Sequence, residues 1–146
     1  MSASLKSACT SRRWFLHAGA FAVLALSGCA TIEQQDRINQ LENQVKLFVK
    51  SIRWGDFDVA GSMVRRRGAS QSDTPDVSKY RGVRVTSDKY ALRAENAESD
   101  EVIMAASFDY HSANSASIRT LDYNVLWWYD PVVKAWFIDG ELPIFQ

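Results

Sequence analysis

The segment "VIMAASFDYH" at residues 102–111 decides the fold class, because an apolar or aromatic side chain occupies every second position along it. Successive side chains of a β-strand point to opposite faces of the sheet, so this alternation predicts a strand with one buried face. Asp109 and His111 fall on the opposite face, which we expect to contact solvent. The residues of the predicted buried face are Val102, Met104, Ala106, Phe108 and Tyr110.

A second alternating segment, "LDYNVLWWY" at residues 121–129, predicts another strand of the same kind. Its predicted buried face consists of Leu121, Tyr123, Val125, Trp127 and Tyr129. With the turn residues between segments, the pattern predicts a meander of four antiparallel strands at residues 83–94, 102–111, 118–129 and 134–139. Trp128 points away from Trp127, and is either covered by the long helix, the interpretation we favour, or exposed as part of a binding surface.

Before the strands, apolar residues recur every three or four positions, which is typical of an amphipathic helix. Thr31 and Gln34 predict a capping box at the start of this helix. Residues 29–44 are mostly polar and are expected to form a helical stalk, while residues 45–146 form the body. A dimeric coiled coil along the same stripe, and hence a homodimer, is the alternative. The residues of the stripe are Ile38, Leu41, Val45, Phe48 and Ile52.

The helix is expected to end at Gly55, and Asp56 to cap a short second helix over residues 57–64. The arginines at 65–67 follow it, and we interpret them as a solvated helix terminus, with contact to anionic phospholipid as the alternative. Residues 69–79 are polar and predict a loop. The predicted fold is therefore α+β, with N-terminal helices packed on a curved, cone-like, antiparallel four-stranded sheet.

Composition limits the class of protein. The chain has 146 residues, of which 47% are hydrophobic and 23% charged, as in one ordinary globular domain. Residues 1–28 carry three basic residues and no acidic one, which leaves 14 basic against 17 acidic residues in 29–146. Proteins that bind nucleic acid usually present a strongly basic surface, so we expect no nucleic-acid partner.

The N-terminus has the organisation of a cleaved export signal. Residues 1–13 are polar and basic, and the apolar run at 14–27 is too short to span a membrane. The sequence Leu26-Ser27-Gly28-Cys29 resembles the bacterial lipobox. That resemblance implies cleavage after residue 28 and attachment of membrane lipid to Cys29. Because Ala30 replaces the aspartate that favours inner-membrane retention, we expect an outer-membrane protein that faces the periplasm.

The segment Ser11-Arg12-Arg13-Trp14-Phe15-Leu16-His17 resembles the twin-arginine export motif. His17 stands where that motif has lysine. The resemblance implies that Arg12, Arg13, Phe15 and Leu16 direct export of an already folded domain. A general secretory signal that contains two arginines is the alternative.

The order of two helices, a loop and a curved sheet resembles the nuclear transport factor two-like superfamily, over residues 40–145. The resemblance rests on Trp54-Gly55-Asp56-Phe57-Asp58, the aromatic strands, and the closing Trp136-Phe137-Ile138-Asp139-Gly140. It implies a cone that encloses a small apolar molecule in some members. The residues expected to line such a cone are Phe108, Tyr110, Tyr123, Val125 and Trp127.

Catalysis would require an acid and a polar partner inside the cone. The candidates are Asp109, His111, Asp122 and Tyr123, but the alternation places Asp109 and His111 outside. No spacing of His, Cys or acidic residues indicates a metal or a cofactor. We therefore predict a non-catalytic, lipid-anchored envelope protein that acts as a protein-interaction module. The alternatives are a carrier of a small apolar ligand and an isomerase- or dehydratase-like enzyme.

Overall fold

The computed structural model describes residues 21–69, 76–96, 99–115 and 117–146, with side chains described from Ile32 onward. The described residues before Asp36 and residues 36–146 belong to two separate units, and the second carries the sheet and the core. The elements are helices α1 (Phe21–Trp54) and α2 (Phe57–Ser62), a 3₁₀-helix (Val77–Tyr80), and strands β1 (Val83–Ala94), β2 (Glu101–Ser112), β3 (Arg119–Asp130) and β4 (Ala135–Asp139). The predicted α+β class is confirmed.

The helices agree with the prediction at Gly55 and differ from it at the other ends. Thr31 lies inside α1 rather than at its start, because the Ala- and Leu-rich residues before it are good helix formers and the helix already includes Phe21. Gly55 ends α1 with a φ of 80°, as predicted. Asp56 precedes α2 but its side chain makes no capping hydrogen bond, and α2 ends at Ser62 rather than at residue 64. Part of the predicted 69–79 loop is the 3₁₀-helix.

The strands form one antiparallel curved sheet in the order β1-β2-β3-β4, and the sheet does not close on itself. Burial along β2 alternates: every second residue from Val102 to Tyr110 is buried, and the residues between them are exposed or half-buried. The register places Met104 beside Leu92 of β1 and Val125 of β3, so these three side chains share the inner face. The predicted strands and their faces are confirmed.

The apolar stripe of α1 packs on the inner face of the sheet. Leu41, Val45, Phe48 and Ile52 are buried in the same core as the inner residues of β2 and β3. Phe48 stacks on Tyr123 and meets Trp127 edge-on, with ring centroids 6.2 and 5.8 Å apart. The stripe is thus occupied within the chain, which favours the core interpretation over a coiled-coil seam.

Some residues of the predicted stalk, 29–44, also contact the sheet and its loops. The guanidinium of Arg37 pairs with Asp100 at 2.6 Å, and the Arg37 carbonyl accepts a hydrogen bond from the indole of Trp136. Gln40 donates to the backbone carbonyl of Lys134. Leu41 is 5% exposed.

The edge of the sheet at β4 is covered by the residues that follow α2. Val64 forms a parallel bridge with Ile138, and backbone hydrogen bonds join Arg65 N to Ile138 O and Ile138 N to Met63 O. These bonds satisfy backbone groups of β4 that would otherwise remain open. Within the described residues, β4 therefore has a neighbour on both sides.

Of the arginines at 65–67, Arg65 is buried and so departs from the predicted solvated terminus, whereas Arg66 and Arg67 are exposed as predicted. The guanidinium of Arg65 lies over the ring of Phe137, 3.6 Å from its centroid, and pairs with Asp130. Arg66 pairs with Glu141, and Arg67 with Glu101. The alternative, contact with phospholipid, would require breaking these pairs.

Trp128 is covered by Arg65 and not by α1. Its indole nitrogen donates to the Arg65 carbonyl at 2.8 Å, and the Arg65 guanidinium lies 5.2 Å from its ring. The expectation that the long helix covers this side chain is wrong, because α1 packs on the inner face and Trp128 points outward. The covering segment comes from a part of the chain 63 residues away.

Candidate functional site: the interior and the open edge of the sheet

The predicted export and lipid-attachment residues lie outside the described side chains. Arg12, Arg13, Phe15 and Leu16 precede the described residues, and the lipobox residues Leu26, Ser27, Gly28 and Cys29 belong to the part of α1 that is described by its backbone alone. In the part of the chain that the structure describes, no helix is long and apolar enough to span a membrane. The lipid anchor at Cys29 stays a prediction.

The residues predicted to line the cone are brought together on the inner face. Phe108 and Trp127 are 0% exposed, and so is Phe48, which packs against Trp127. A side chain with no accessible surface contacts no water-sized space, so the interior around these rings is filled. Phe145 of the C-terminal segment adds edge-on contacts to Phe108 and Tyr110, at 6.2 and 4.9 Å between centroids. Tight ring packing here stabilises the fold rather than enclosing a ligand.

The two tyrosines of this group use their hydroxyls to hold the C-terminal segment. Tyr123 donates to the carbonyl of Glu141 at 2.7 Å, and burial raises the pKa of its hydroxyl. Tyr110 donates to the carbonyl of Gln146 at 2.7 Å and accepts from the Gln146 amide. Both hydroxyls are therefore engaged in structural hydrogen bonds to the C-terminal segment.

The candidate acid–base residues of the strands do not meet in the interior. Asp109 lies on the outer face, as predicted, where its carboxylate accepts from the hydroxyl of Thr120 at 2.7 Å. His111 is half-buried, and among the described residues its ring approaches the carbonyl of Ser112, at 3.4 Å. Asp122 is exposed on β3. Among the described residues, no three His, Cys, Asp or Glu side chains come together as a metal site.

The opposite edge of the sheet, at β1, is open. Within the described residues β1 forms a ladder with β2 alone, over its whole 12-residue length. A register shift between Val85 and Ser87 divides the strand, so the run from Ser87 to Ala94 is the regular part. We call residues 87–94 the β1 edge. Each open edge strand presents a row of backbone N–H and C=O groups to solvent.

The β1 edge carries a different chemistry on each face. Lys89, Ala91 and Arg93 share the outer face and are all exposed. Lys89 and Arg93 make no ion pair or hydrogen bond within the described residues. On the inner face, Tyr90 is 39% exposed, and Leu92 is half-buried and packs against the core.

The residues of the β1 edge are not among the sites predicted from the sequence. The alternation of cationic and apolar residues over 89–93 was visible in the sequence, but it is equally typical of any solvent-facing strand. Their significance depends on β1 being an uncovered edge while β4 is covered, and that difference follows from the pairing of Val64 with Ile138. Comparison of the chain with protein-family models, curated proteins and solved structures finds no match.

Proposed function

We propose that this chain is a lipid-anchored protein of the bacterial envelope, whose body is a non-catalytic protein-interaction module that faces the periplasm. We choose an interaction module because the interior of the body is filled. Phe48, Phe108 and Trp127 have no accessible surface, so the face that would enclose a ligand or a substrate is used for packing. The open surfaces of the described body, including the β1 edge, remain available for a partner.

Anchoring is supported by the lipobox-like sequence that ends at Cys29 and follows the apolar run at 14–27. Two or more acyl chains at this residue would give a stable anchor, whereas one chain would not. We expect labelled palmitate to enter the parent protein in growing bacteria, and Cys29→Ala to abolish both labelling and membrane association. Labelling that persists in this variant would contradict the anchor.

Export through the twin-arginine route is supported by Arg12 and Arg13 in their sequence context. The conservative double change Arg12→Lys with Arg13→Lys keeps both positive charges. If the route requires arginine itself, this variant accumulates uncleaved in the cytoplasm. Unchanged export would instead favour the general secretory signal.

The interaction module is tested by photo-crosslinking in intact cells. A photoreactive residue is placed at Ala91 on the β1 edge, and in a second protein at Val132, which is 88% exposed in the turn between β3 and β4. We expect a defined protein adduct from at least one of these positions. Absence of any protein adduct from both positions, with the anchored protein present at normal level, would contradict the module.

A further inference from the structure

We propose that the β1 edge binds an extended acidic segment of a partner protein, which adds to the sheet as a fifth strand. The proposal rests on the proposed function, because it names the partner of the interaction module. The partner strand is expected to alternate acidic residues four apart on its outer face with apolar residues on its inner face. Three features of the edge, its backbone, its inner side and its outer side, support this.

The backbone of β1 supplies the pairing surface. Main-chain hydrogen bonds give affinity when a strand is added to an open edge, and side chains then determine specificity. The regular run from Ser87 to Ala94 offers eight residues, which is longer than a strand of ordinary length. The edge at β4 is unsuitable because Val64 already pairs with Ile138 there.

The inner side of the edge selects apolar partner residues. Tyr90 leaves 39% of its surface exposed although it faces the core side of the sheet, and Leu92 beside it is half-buried. Next to them, Asp88 is paired with Arg53 of α1 at 2.9 Å, so no free charge of β1 points inward here. A partner strand with aliphatic side chains on this face would extend the core over Tyr90 and Leu92.

The outer side of the edge selects acidic partner residues. Lys89 and Arg93 lie four residues apart on one face, with the small side chain of Ala91 between them. Neither cation has an acidic partner in the described part of the chain. Opposite charges directly across two strands stabilise the pairing, so two carboxylates four residues apart would match this spacing.

The same charges disfavour a second copy of this chain as the occupant. If two copies paired antiparallel about Ala91, Lys89 of each copy would lie opposite Arg93 of the other. Like charges directly opposite each other destabilise a strand pair. The cations therefore protect the edge from self-association while they favour an acidic strand.

The test uses the full chain in detergent and a fluorescent synthetic peptide, Ser-Val-Glu-Val-Ser-Val-Glu-Val-Ser. This peptide is the same in both directions, so it fits a parallel or an antiparallel register. We expect saturable binding, measured by fluorescence anisotropy, and no binding of the peptide in which lysine replaces both glutamates. The double variant Lys89→Gln with Arg93→Gln should weaken binding about tenfold, as the loss of two cross-strand charge pairs predicts.

Charge reversal and backbone methylation separate strand addition from general electrostatic attraction. The double variant Lys89→Glu with Arg93→Glu should bind the lysine peptide and reject the glutamate peptide. In a strand, the backbone N–H groups of successive residues point to opposite edges. N-methylation of the peptide residues whose N–H groups face β1 should therefore abolish binding, whereas N-methylation of the alternate residues should leave binding intact. Lys134→Glu, at the turn before β4, is the matched control and should bind as the parent does.

The proposal is overturned if the two glutamine substitutions leave binding unchanged, or if both methylated peptides bind equally well. It is also overturned if vesicles of phosphatidylglycerol, and not the peptide, bind in a way that depends on Lys89 and Arg93. The cellular experiment distinguishes this failure from failure of the module. Adducts from Val132 but not from Ala91 would leave the interaction module standing and exclude the β1 edge as its surface.

Discussion

Two buried tryptophans of the core, Trp127 and Trp136, differ in what their indole nitrogens contact. Trp136 is 3% exposed and donates to the carbonyl of Arg37 at 3.0 Å. Trp127 is 0% exposed, and its indole nitrogen has no hydrogen-bond partner in the described structure. A buried donor without an acceptor costs about 1–3 kcal/mol, because it has lost its hydrogen bond to water.

Replacement of each tryptophan by phenylalanine separates the effect of a satisfied indole N–H from that of an unsatisfied one. Both changes remove the same atoms and leave a similar cavity, but Trp136→Phe loses a hydrogen bond whereas Trp127→Phe removes an unsatisfied donor. We expect Trp136→Phe to lower the free energy of unfolding by about 1–3 kcal/mol more than Trp127→Phe does. Urea denaturation followed by circular dichroism measures both. An equal or larger loss in Trp127→Phe would contradict this account.

Arg65 shows how one charged side chain can be used as part of the packing. It is 9% exposed, and its guanidinium lies against the rings of Phe137 and Trp128 while it pairs with Asp130. A planar guanidinium can stack on rings and form an ion pair at the same time, which the compact ammonium of lysine cannot do.

Arg65→Lys is therefore expected to destabilise the protein although the charge is kept. Loss of the stacking contacts should cost about 1–2 kcal/mol in the free energy of unfolding. Arg66→Lys is the matched control, since the Arg66–Glu141 pair is exposed and its loss should change stability little. A thermal unfolding midpoint of Arg65→Lys equal to that of Arg66→Lys would show that the stacking contributes nothing measurable.

At the scale of elements, the sequence predicted the strands well because each depends on a local period. Alternation along β2 and β3 identified their buried faces, including Phe108 and Trp127, with no knowledge of the partners. Helix α1 was placed by its 3–4 spacing, but its start was not, since residues before Thr31 also favour helix. The inner face could thus be predicted down to single residues.

The elements that cover the sheet could not be predicted in the same way. The pairing of Val64 with Ile138 joins residues 74 positions apart in the sequence, and nothing in the local pattern of either indicates the other. The environments of Arg65 and Trp128 both follow from this contact, so both expectations failed for one reason. For the same reason the sequence could not identify β1 as the open edge, because this depends on knowing that the β4 edge is covered.

The loops and strand ends on the outer side carry acidic groups that are stabilised when charged. A hydrogen bond from Arg67 lowers the pKa of Glu101. The backbone amide of Val132, followed by weaker contributions from Val133 and Arg65, lowers the pKa of Asp130. A carboxyl with a lowered pKa in the folded state stabilises the protein above its unfolded pKa, and this contribution is lost as the pH falls through the folded value.

Acid sensitivity is the expected consequence. The stabilising contribution of these two carboxyls should be constant above about pH 5 and should decrease as the pH falls below their ordinary pKa values of 4.5 for Glu101 and 3.8 for Asp130. In Asp130→Asn, whose side chain does not titrate, the decrease should be smaller, as measured by urea midpoints between pH 6 and pH 3. Asp122→Asn, at an exposed position, is the control and should follow the parent. The same decrease in Asp130→Asn as in the parent would exclude Asp130 as a contributor.

At the scale of the whole molecule, the two sheet edges are protected by different means. The β4 edge is covered within the same chain by residues 63–65, which pair with Ile138 through backbone hydrogen bonds. The β1 edge has no such cover among the described residues, and its protection is the outward row of Lys89 and Arg93. Charged side chains on an edge strand are a recognised means of preventing association between sheets.

This difference predicts that one substitution should turn the β1 edge into a dimer interface. In an antiparallel pair of β1 strands centred on Ala91, a carboxylate introduced at position 89 lies opposite Arg93 of the second copy, twice by symmetry. Lys89→Glu should therefore dimerise more strongly than the parent in sedimentation equilibrium. The double variant Lys89→Glu with Arg93→Glu restores like-charge opposition and should not. If both variants associate to the same extent as the parent, charge at these two positions does not protect the edge, and the backbone of β1 is not accessible to a second strand.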